Sequence, residues 1–256
     1  MDALQTQRGS QAVDRALSIL WLFDEQRETL SAADVAELLG VHRSIAARLL
    51  GALERQGLLE QDPLTGRHRL GIALVSLAGH VLDRFPVRAS GRKALGDLRD
   101  RVEETAYLGV LDGSSVVYID QASSPHVRHN VDWVGRRQSL GEGVIPALLL
   151  AFQPPELIEQ LLEGERENGR TRVPGFDRSA LADLRARGYL ARFPDPVSGL
   201  VVVAAPVRDH RGAVVAAIAI TAPLHRVDQA RLDTALVPAT LRAAALVSEA
   251  LGSTQA

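Results

Sequence analysis

Cysteine is absent from this chain of 256 residues, and of its 29 basic residues only Lys93 is a lysine. The lack of cysteine excludes a disulfide framework, thiol catalysis and any cysteine-ligated zinc or iron–sulfur site. No run of about 18 apolar residues occurs, and the first residues lack the cationic start and apolar stretch of a signal peptide. We therefore expect a cytoplasmic protein with no membrane partner.

The overall charge of the chain does not indicate a nucleic-acid partner. The formal net charge is −2, and residues 1–70 carry eight arginines against ten acidic residues. With 46% apolar and 23% charged residues, the chain has the composition of an ordinary globular protein and the length for two modest domains. The preference for arginine over lysine is explained by high-GC coding, so a nucleic-acid partner has to be argued from the local placement of charge.

The stretch from Ser31 to Glu60 has the pattern of a helix-turn-helix. Ser31 followed by Asp34 resembles a capping box, in which a hydroxyl and a carboxylate satisfy free backbone N–H groups at a helix start. Gly40 then supplies the permissive backbone of a tight turn. A second helix is predicted from about His42 to Gln56.

This second helix has two different sides. Its predicted core side comprises Ile45, Leu49, Ala52, Leu53 and Gln56. The opposite side is small and cationic and comprises Ser44, Ala47, Arg48, Gly51 and Arg55. Small side chains let a helix approach the major groove, and arginine pairs with guanine edges or phosphate. A surface helix of an arginine-rich chain can also show such a side by chance, so the context of the helix decides.

That context is a predicted wing. Two short extended runs flank a turn at Pro63–Gly66, and the return run carries Arg67, His68 and Arg69. Helix, turn, helix and wing in this order are more specific than any one of them. The residues predicted to contact DNA are Arg43, Ser44, Ala47, Arg48, Arg55, Arg67 and Arg69.

The rest of the chain predicts a linker and a second domain. A helix over 72–85 stops before Pro86, and its apolar residues on more than one side suggest packing on another subunit. A mixed domain follows, with a hairpin turning at Asp112-Gly113 and two apolar strands on either side of residues 208–212, which must be central in a sheet covered on both faces. The predicted divisions are a DNA-binding domain over 1–70, a linker helix over 71–85 and an effector-binding domain over 86–256.

Several motifs resemble those of the IclR family of bacterial transcription regulators. They are Arg15-Ala16-Leu17, Arg43-Ser44-Ile45, Arg48-Leu49-Leu50 and the wing segment Gly66-Arg67-His68-Arg69-Leu70-Gly71. The resemblance implies an α+β protein with an N-terminal winged helix-turn-helix, a linker helix and a C-terminal GAF-like domain that binds a small-molecule effector. It implies a regulator, more readily a repressor than an activator, that binds a pseudo-palindromic double-stranded operator as a homodimer or homotetramer. His42 and Ile45 replace the proline and threonine frequent in the family, so the family's base preferences do not transfer.

The same resemblance indicates an effector site. The corresponding positions are Leu108, Leu140, Gly141, Val144, Ile145, Ala147, Arg192, Val202, Ala219 and Thr221. A cysteine and two serines that bind a small carboxylate in some members would be Val202, Ala219 and Thr221 here, which leaves few donors for a small acid. This favours an apolar or aromatic effector, although Arg192 at the rim could still clamp a carboxylate, and a collapsed site that binds nothing is the third possibility.

Two other patterns could be taken for chemical sites. His126, His129 and Asp132 have the spacing of metal ligands, but i, i+3 spacing fixes ligand geometry only on a helix, and the flanking residues indicate a solvated loop. Glu142 has no second acid or base at a recognisable spacing. We therefore expect no metal, no cofactor and no enzymatic activity. The alternatives are a small-molecule enzyme with a winged-helix appendage, whose cleft would lie near Leu140–Ala147, and a non-specific DNA-binding protein.

Overall fold

In the computed structural model the chain forms two units, Met1–Arg84 and Phe85–Ala256. The structure describes residues 2–24, 26–126, 132–140, 143–160, 178–195 and 198–254. No helix among these residues combines the length and the apolar content that crossing a bilayer requires.

The first unit is the predicted winged helix-turn-helix. Its elements are α1 (Asp2–Leu20), α2 (Ala32–Leu39), α3 (Arg43–Arg55), β1 (Leu59–Gln61), β2 (His68–Leu70) and α4 (Ala73–Leu82). The wing strands β1 and β2 pair antiparallel, with Leu59 opposite Leu70. The capping box at the start of α2 is confirmed, because Ser31 Oγ accepts from the Asp34 amide at 3.2 Å and Asp34 Oδ2 accepts from the Ser31 amide at 2.9 Å. Gly40 ends α2 with φ at 63°.

The core of this unit corrects one detail of the prediction for α3. The buried cluster comprises Ile19, Leu30, Val35, Ala46, Leu49, Leu50, Leu53 and Leu59. Leu49 and Leu53 were predicted, but Ala46 and Leu50 were not, and Gln56 is exposed. The side of α3 that packs on α1 and α2 is therefore formed by Ala46, Leu49, Leu50 and Leu53. The helix is rotated about its axis, relative to the prediction, by about the angle between two successive residues. The reason is that apolar residues of α3 lie on both sides of the boundary between its buried and exposed surfaces. Periodicity alone therefore does not determine the rotation of the helix about its axis.

Gly71 connects the wing to α4 through a close backbone approach. A Cβ atom at this position would lie 2.2 Å from the carbonyl oxygen of Gly57. The Gly71 amide also donates to the Leu58 carbonyl at 2.8 Å, so the two backbone segments are held together. The sequence folds in this way because only glycine fits between them.

We therefore predict that Gly71→Ala lowers the free energy of unfolding of the first unit by about 1–3 kcal/mol, through overpacking against a rigid backbone. Urea unfolding followed by circular dichroism measures this. Gly96→Ala in the second unit is the matched control, since an added Cβ there meets nothing within 4 Å; it should be neutral or stabilise by roughly 0.4–1 kcal/mol. Equal stability of wild type and Gly71→Ala would contradict the close approach.

The second unit is a six-stranded antiparallel sheet with helices on both faces. Its elements are α5 (Pro86–Val102), β3 (Thr105–Asp112), β4 (Ser115–Ala122), β5 (Arg137–Ser139), α6 (Val144–Ala151), α7 (Arg178–Arg187), β6 (Leu190–Arg192), β7 (Val201–Arg208), β8 (Val214–Ala222) and α8 (Val237–Ala250). Helical turns over Leu224–Arg226, Gln229–Arg231 and Leu232–Leu236 precede α8. The strand order is β5-β4-β3-β8-β7-β6.

The side chains of β3 point alternately to the two faces of the sheet, and their contacts show which helix covers each face. Leu108 faces α5, because a Cβ atom on Gly91 of α5 would lie 2.9 Å from Leu108 Cδ2. Its neighbour Tyr107 belongs instead to the buried cluster that contains α6. Since successive strand residues point to opposite faces, α5 covers one face and α6 the other. The predicted hairpin and the two central apolar strands, β7 and β8, are confirmed. The edge strands β5 and β6 were not predicted, because three residues are too few to show alternation.

Candidate functional site

The exposed side of α3 carries the residues predicted to read DNA. Arg43, Ser44, Ala47, Arg48 and Arg55 are all exposed, and we call these five residues the α3 surface. Among the described residues, no hydrogen bond or ion pair engages the guanidinium groups of Arg43, Arg48 or Arg55. These cations are therefore available to phosphates or base edges, and the small side chains between them leave room for a groove to approach.

The start of α3 is capped by His42. Its Nδ1 atom accepts from the Ser44 amide at 3.3 Å and lies 2.9 Å from Ser44 Oγ. The cap fixes the first turn of α3, so Ser44 and Arg43 are held at the positive end of the helix, where anions are favoured. Sequence reasoning missed this role, because histidine is not among the usual N-cap residues.

Arg67, which was predicted to contact DNA, has partners for its guanidinium within the protein. Its Nη2 atom donates to Asp34 Oδ2 at 2.8 Å and to the Thr29 carbonyl at 2.9 Å, and its Nε donates to Thr29 Oγ1 at 2.9 Å. The guanidinium therefore ties the wing to the start of α2. The pKa of Asp34 lies below its usual value, chiefly because its carboxylate accepts the Ser31 amide and also because of Arg67, so the contact remains ionised at neutral pH.

Arg69, the other wing arginine, is differently placed. It donates to Glu60 Oε2 at 3.0 Å, and 65% of its side chain is exposed. Because such exposed pairs contribute little, Arg69 can exchange Glu60 for a phosphate. The wing therefore supplies one available cation where the sequence predicted two.

In the second unit, most of the predicted effector residues lie together. The sheet face covered by α6, which we call the α6 face, forms one buried cluster that contains Leu140, Val144, Ile145, Ala147, Val202 and Ala219. Thr221 shares this face, because its Oγ1 donates to the Tyr107 hydroxyl at 3.3 Å. Arg192 is the register partner of Val202 on the edge strand β6. Gly141 lies outside the described residues.

Leu108 does not lie with the other predicted effector residues. Leu108 lies on the α5 side of the sheet, and Tyr107 occupies the α6 face in its place. The physical reason is the two-residue period of a strand, which sends adjacent side chains to opposite faces. Tyr107 is also the register partner of Ala219, another of the predicted effector residues, but that register is not visible in the sequence.

Three aromatic residues of the α6 face were missed. Tyr107 and Tyr118 are each 7% exposed, and their rings meet edge to face with centroids 5.9 Å apart. Trp133 packs on Tyr118 with a centroid distance of 5.1 Å. Aromatic groups in this arrangement offer both ring edges and ring faces to a flat ligand. The face is thus aromatic as well as aliphatic.

The two tyrosines also give the α6 face polar groups. Burial raises the pKa of Tyr118 far above its usual value, with a further contribution from nearby Tyr107 and Asp195. Burial likewise raises the pKa of Tyr107, partly offset by hydrogen bonds with Thr221 and Thr105. Both hydroxyls therefore remain neutral at physiological pH. The Tyr118 hydroxyl donates to Gln138 Oε1 at 2.5 Å, so the face has more hydrogen-bonding groups than the sequence indicated.

The patterns considered for metal or catalysis gain no support where they are described. His126 Nε2 lies 3.3 Å from Glu103 Oε2, and Asp132 Oδ1 accepts from the Val134 amide at 2.9 Å. His129 and Glu142 lie outside the described residues. Within the described part of the chain, no group of three or more histidine, aspartate or glutamate residues could hold a metal ion.

Comparison with known proteins gives consistent matches over nearly the whole chain. The family model described as "IclR helix-turn-helix domain" matches residues 12–63, and that described as "Bacterial transcriptional regulator IclR C-terminal" matches residues 79–249. The HTH-type transcriptional regulator XynR of Escherichia coli is 34% identical over 87% of this chain and 90% of its own length. The glycerol operon regulatory protein of Streptomyces griseus is 33% identical over 96% and 98%.

A solved structure shares the fold. It is an IclR homologue from Microbacterium hydrocarbonoxydans, crystallised in complex with 4-hydroxybenzoate. The two chains superpose with a TM-score of 0.77 at 24% identity, over 94% of this chain and 98% of the other. At this identity the likeness supports the architecture of both units.

Proposed function

This chain belongs to the IclR family of bacterial transcriptional regulators, and we propose that it binds operator DNA through the α3 surface and responds to an aromatic effector on the α6 face. The observation that carries the DNA-binding part is the exposure of Arg43, Arg48 and Arg55 beside Ser44 and Ala47. A recognition helix needs this combination of free guanidinium groups and small side chains. We propose a cytoplasmic location for the protein, because bacterial DNA lies in the cytoplasm.

We further propose that the protein acts as a homodimer or a pair of dimers on a pseudo-palindromic site. One module buries too little surface to be both tight and specific. The first unit also leaves apolar side chains uncovered. Val13 and Leu17 lie four residues apart on α1, Trp21 follows directly after the end of this helix, and each of the three is about half exposed or more. The linker helix α4 contains no buried residue, and Val75 and Val81 are exposed on it. Such surfaces mark contacts with another chain.

Leu17→Glu should therefore convert the oligomer to monomers at micromolar concentration, because a carboxylate cannot be buried in an apolar contact without a partner. Analytical ultracentrifugation measures the change, and operator affinity should fall with it. Val134→Glu, at an exposed valine of the second unit, is the control and should leave the assembly intact. An unchanged sedimentation coefficient for Leu17→Glu would show that α1 is not in the contact.

The effector proposal depends on the chemistry of the α6 face. Its aliphatic residues and the Tyr107, Tyr118 and Trp133 rings favour a flat apolar or aromatic molecule over a small polar acid. The Tyr107 and Thr221 hydroxyls can pair with a polar substituent, and Arg192 stands at the edge of the face beside Val202. The related structure solved with 4-hydroxybenzoate shows that one protein of this fold was crystallised with such a molecule.

A thermal-shift screen of aromatic and aliphatic acids, alcohols and lactones tests this proposal. Binding to the folded state alone stabilises by about 2.7 kcal/mol at a ligand concentration 100 times the Kd, so an aromatic hit should raise the melting temperature measurably. Tyr107→Phe should reduce the shift, since the variant keeps the ring and loses the hydroxyl. A small aliphatic acid as the strongest hit would contradict the aromatic assignment, and a screen without any hit would indicate a collapsed site.

The regulatory sign that we propose is repression, with the effector weakening operator binding. A coupling of about 1–3 kcal/mol between the two sites changes operator affinity by roughly 5- to 150-fold, which is sufficient for a switch. We propose no enzymatic role: the curated relatives XynR and the glycerol operon regulatory protein are named as regulators. Assays for turnover of any compound that raises the melting temperature test this point.

A further inference from the structure

The strand β4 contains a bulge between Tyr118, which lies on the α6 face, and Asp120, which contacts α5 on the opposite side of the sheet. Leu108 of β3 pairs with Asp120, whereas the next residue, Gly109, pairs with Tyr118. Ile119 is thus an extra residue on β4, without a partner on β3. An extra residue bends its strand and re-aims the side chains beside it, and such bulges are over-represented next to functional sites.

On one side of this bulge the strand contacts the proposed effector site. Tyr118 lies in the buried cluster of the α6 face and donates to Gln138. Two residues beyond the bulge, Gln121 Oε1 accepts from the Trp133 amide at 2.9 Å. The ring of Trp133 packs in turn on Tyr118. A ligand that displaces the aromatic rings therefore acts on β4 both before and after Ile119.

On the other side the bulge is held by the first turns of α5. Arg88 Nε donates to the Ile119 carbonyl at 3.0 Å and lies 3.7 Å from Asp120 Oδ2. Arg92 Nε donates to the same carboxylate oxygen at 3.3 Å. The Asp120 side chain is 12% exposed and that of Arg88 is 25% exposed, so this pair is screened by solvent less than a surface pair.

Arg88 lies close to the segment that joins the two units. Arg88 is the third residue of α5, and α5 starts at Pro86, immediately after the division between the two units at Arg84 and Phe85. One turn further on, Gly91 allows α5 to lie close to Leu108. The start of α5 is thus fixed to both β3 and β4, and it continues directly into the linker segment.

We infer that Asp120 is the residue that couples the effector site to the linker. A ligand on the α6 face shifts Tyr118, the bulge transfers the shift to Asp120, and Asp120 moves the start of α5 through Arg88 and Arg92. This deepens the proposed function and rests on it, because it requires a DNA-binding unit at the other end of the linker. Asp120 is a positioning residue, which touches neither ligand nor DNA.

Linkage allows the coupling to be tested without knowing the effector. If occupancy of the α6 face changes operator affinity, operator binding must change the affinity of the α6 face for its effector by the same factor. Such a change in affinity requires a change in the conformation or mobility of the face, which amide hydrogen exchange reports. The probe is a fragment of the upstream promoter region, and the readout is amide hydrogen exchange of the full-length protein in segments 86–92 and 115–122. In the wild type, DNA should change the exchange rates of both segments by about fivefold or more.

The test variant is Asp120→Asn, which removes the charge while its side-chain oxygen can still accept from the Gln121 amide, as Asp120 does at 3.0 Å. The DNA affinity of this variant should stay within about twofold of the wild-type value, whereas the DNA-induced change in the amide exchange rate of segment 115–122 should disappear. Asp112→Asn is the matched control: Asp112 also belongs to the sheet and pairs with an arginine, Arg137, at 2.6 Å, and the variant should respond to DNA like the wild type. Arg92→Ala, at a 66% exposed residue, repeats the test should Asp120→Asn fold poorly.

The outcomes separate the inference from the function on which it rests. Loss of the DNA-induced change in Asp120→Asn or Arg92→Ala, with Asp112→Asn unaffected, supports the inference. Tight binding of DNA by the wild type with no change in segment 115–122 overturns the coupling alone, as does an Asp120→Asn response equal to that of the wild type. A wild-type protein that binds no DNA overturns the proposed function, and the coupling falls with it.

Discussion

Arg48→Ala should weaken specific operator binding by about 1–3 kcal/mol, or roughly 5- to 150-fold, which is the discrimination carried by a good arginine contact to a base. Arg48 lies in the middle of the exposed side of α3, one residue after Ala47, and no hydrogen bond or ion pair engages it among the described residues. Its side chain is therefore free to enter the major groove. Fluorescence anisotropy with a labelled promoter fragment at fixed salt measures the loss.

The comparison with random DNA decides what Arg48 contacts. A base contact predicts a larger loss on the promoter fragment than on random DNA, whereas a phosphate contact predicts the same loss on both and a shallower salt dependence. Arg187→Ala is the control, because Arg187 is also exposed and lies at the end of α7 in the other unit. Unchanged binding by Arg48→Ala would show that the α3 surface is not the reading surface.

Glu104→Gln should lower the free energy of unfolding of the second unit by about 3 kcal/mol, at the lower end of the range for breaking a buried pair. The Glu104 side chain is 1% exposed, and its Oε1 accepts from Arg226 Nε and from Arg231 Nη2, each at 3.0 Å. Arg231 also donates to the Val102 carbonyl at 2.8 Å. The carboxylate therefore holds the turns after β8 against the end of α5, and a neutral amide leaves two guanidinium groups uncompensated.

Urea unfolding of the full chain measures this loss, with Asp112→Asn as the control. The exposed pair between Asp112 and Arg137 should contribute less than about 1 kcal/mol, because solvent screens it. A loss for Glu104→Gln no larger than that for Asp112→Asn would mean that the arginines find equally good partners without the carboxylate.

The winged helix could be predicted because its signals are local. Ser31 and Asp34 are three residues apart, Gly40 ends the helix that they start, and the turn of the wing lies within eleven residues of sequence. What could not be predicted depends on distant contacts. The pair between Arg67 and Asp34 joins residues 33 positions apart, so nothing near Arg67 indicated that its guanidinium is engaged.

The composition of the α6 face was also hard to predict, because it depends on the pairing of strands that are distant in the sequence. The apolar pattern predicted the helix α6 and the strands β7 and β8 correctly, because their apolar residues are continuous in the sequence, and the resemblance assigned effector positions to these elements and to β3. It did not give Tyr107 in place of Leu108, since the choice between them depends on the register of β3 against β8. A shift of one residue in a strand exchanges its two faces. Tyr118 was missed for a related reason: the bulge at Ile119 alters the register between β3 and β4.

The most direct test of the central claim is a competition measurement at fixed salt, in which the wild-type protein distributes between its promoter fragment and random DNA of the same length. A regulator that reads its operator with the α3 surface should prefer the promoter by about 10³- to 10⁷-fold, and an effector that binds the α6 face should change that preference. A ratio near one, with or without any compound that raises the melting temperature, would contradict the account.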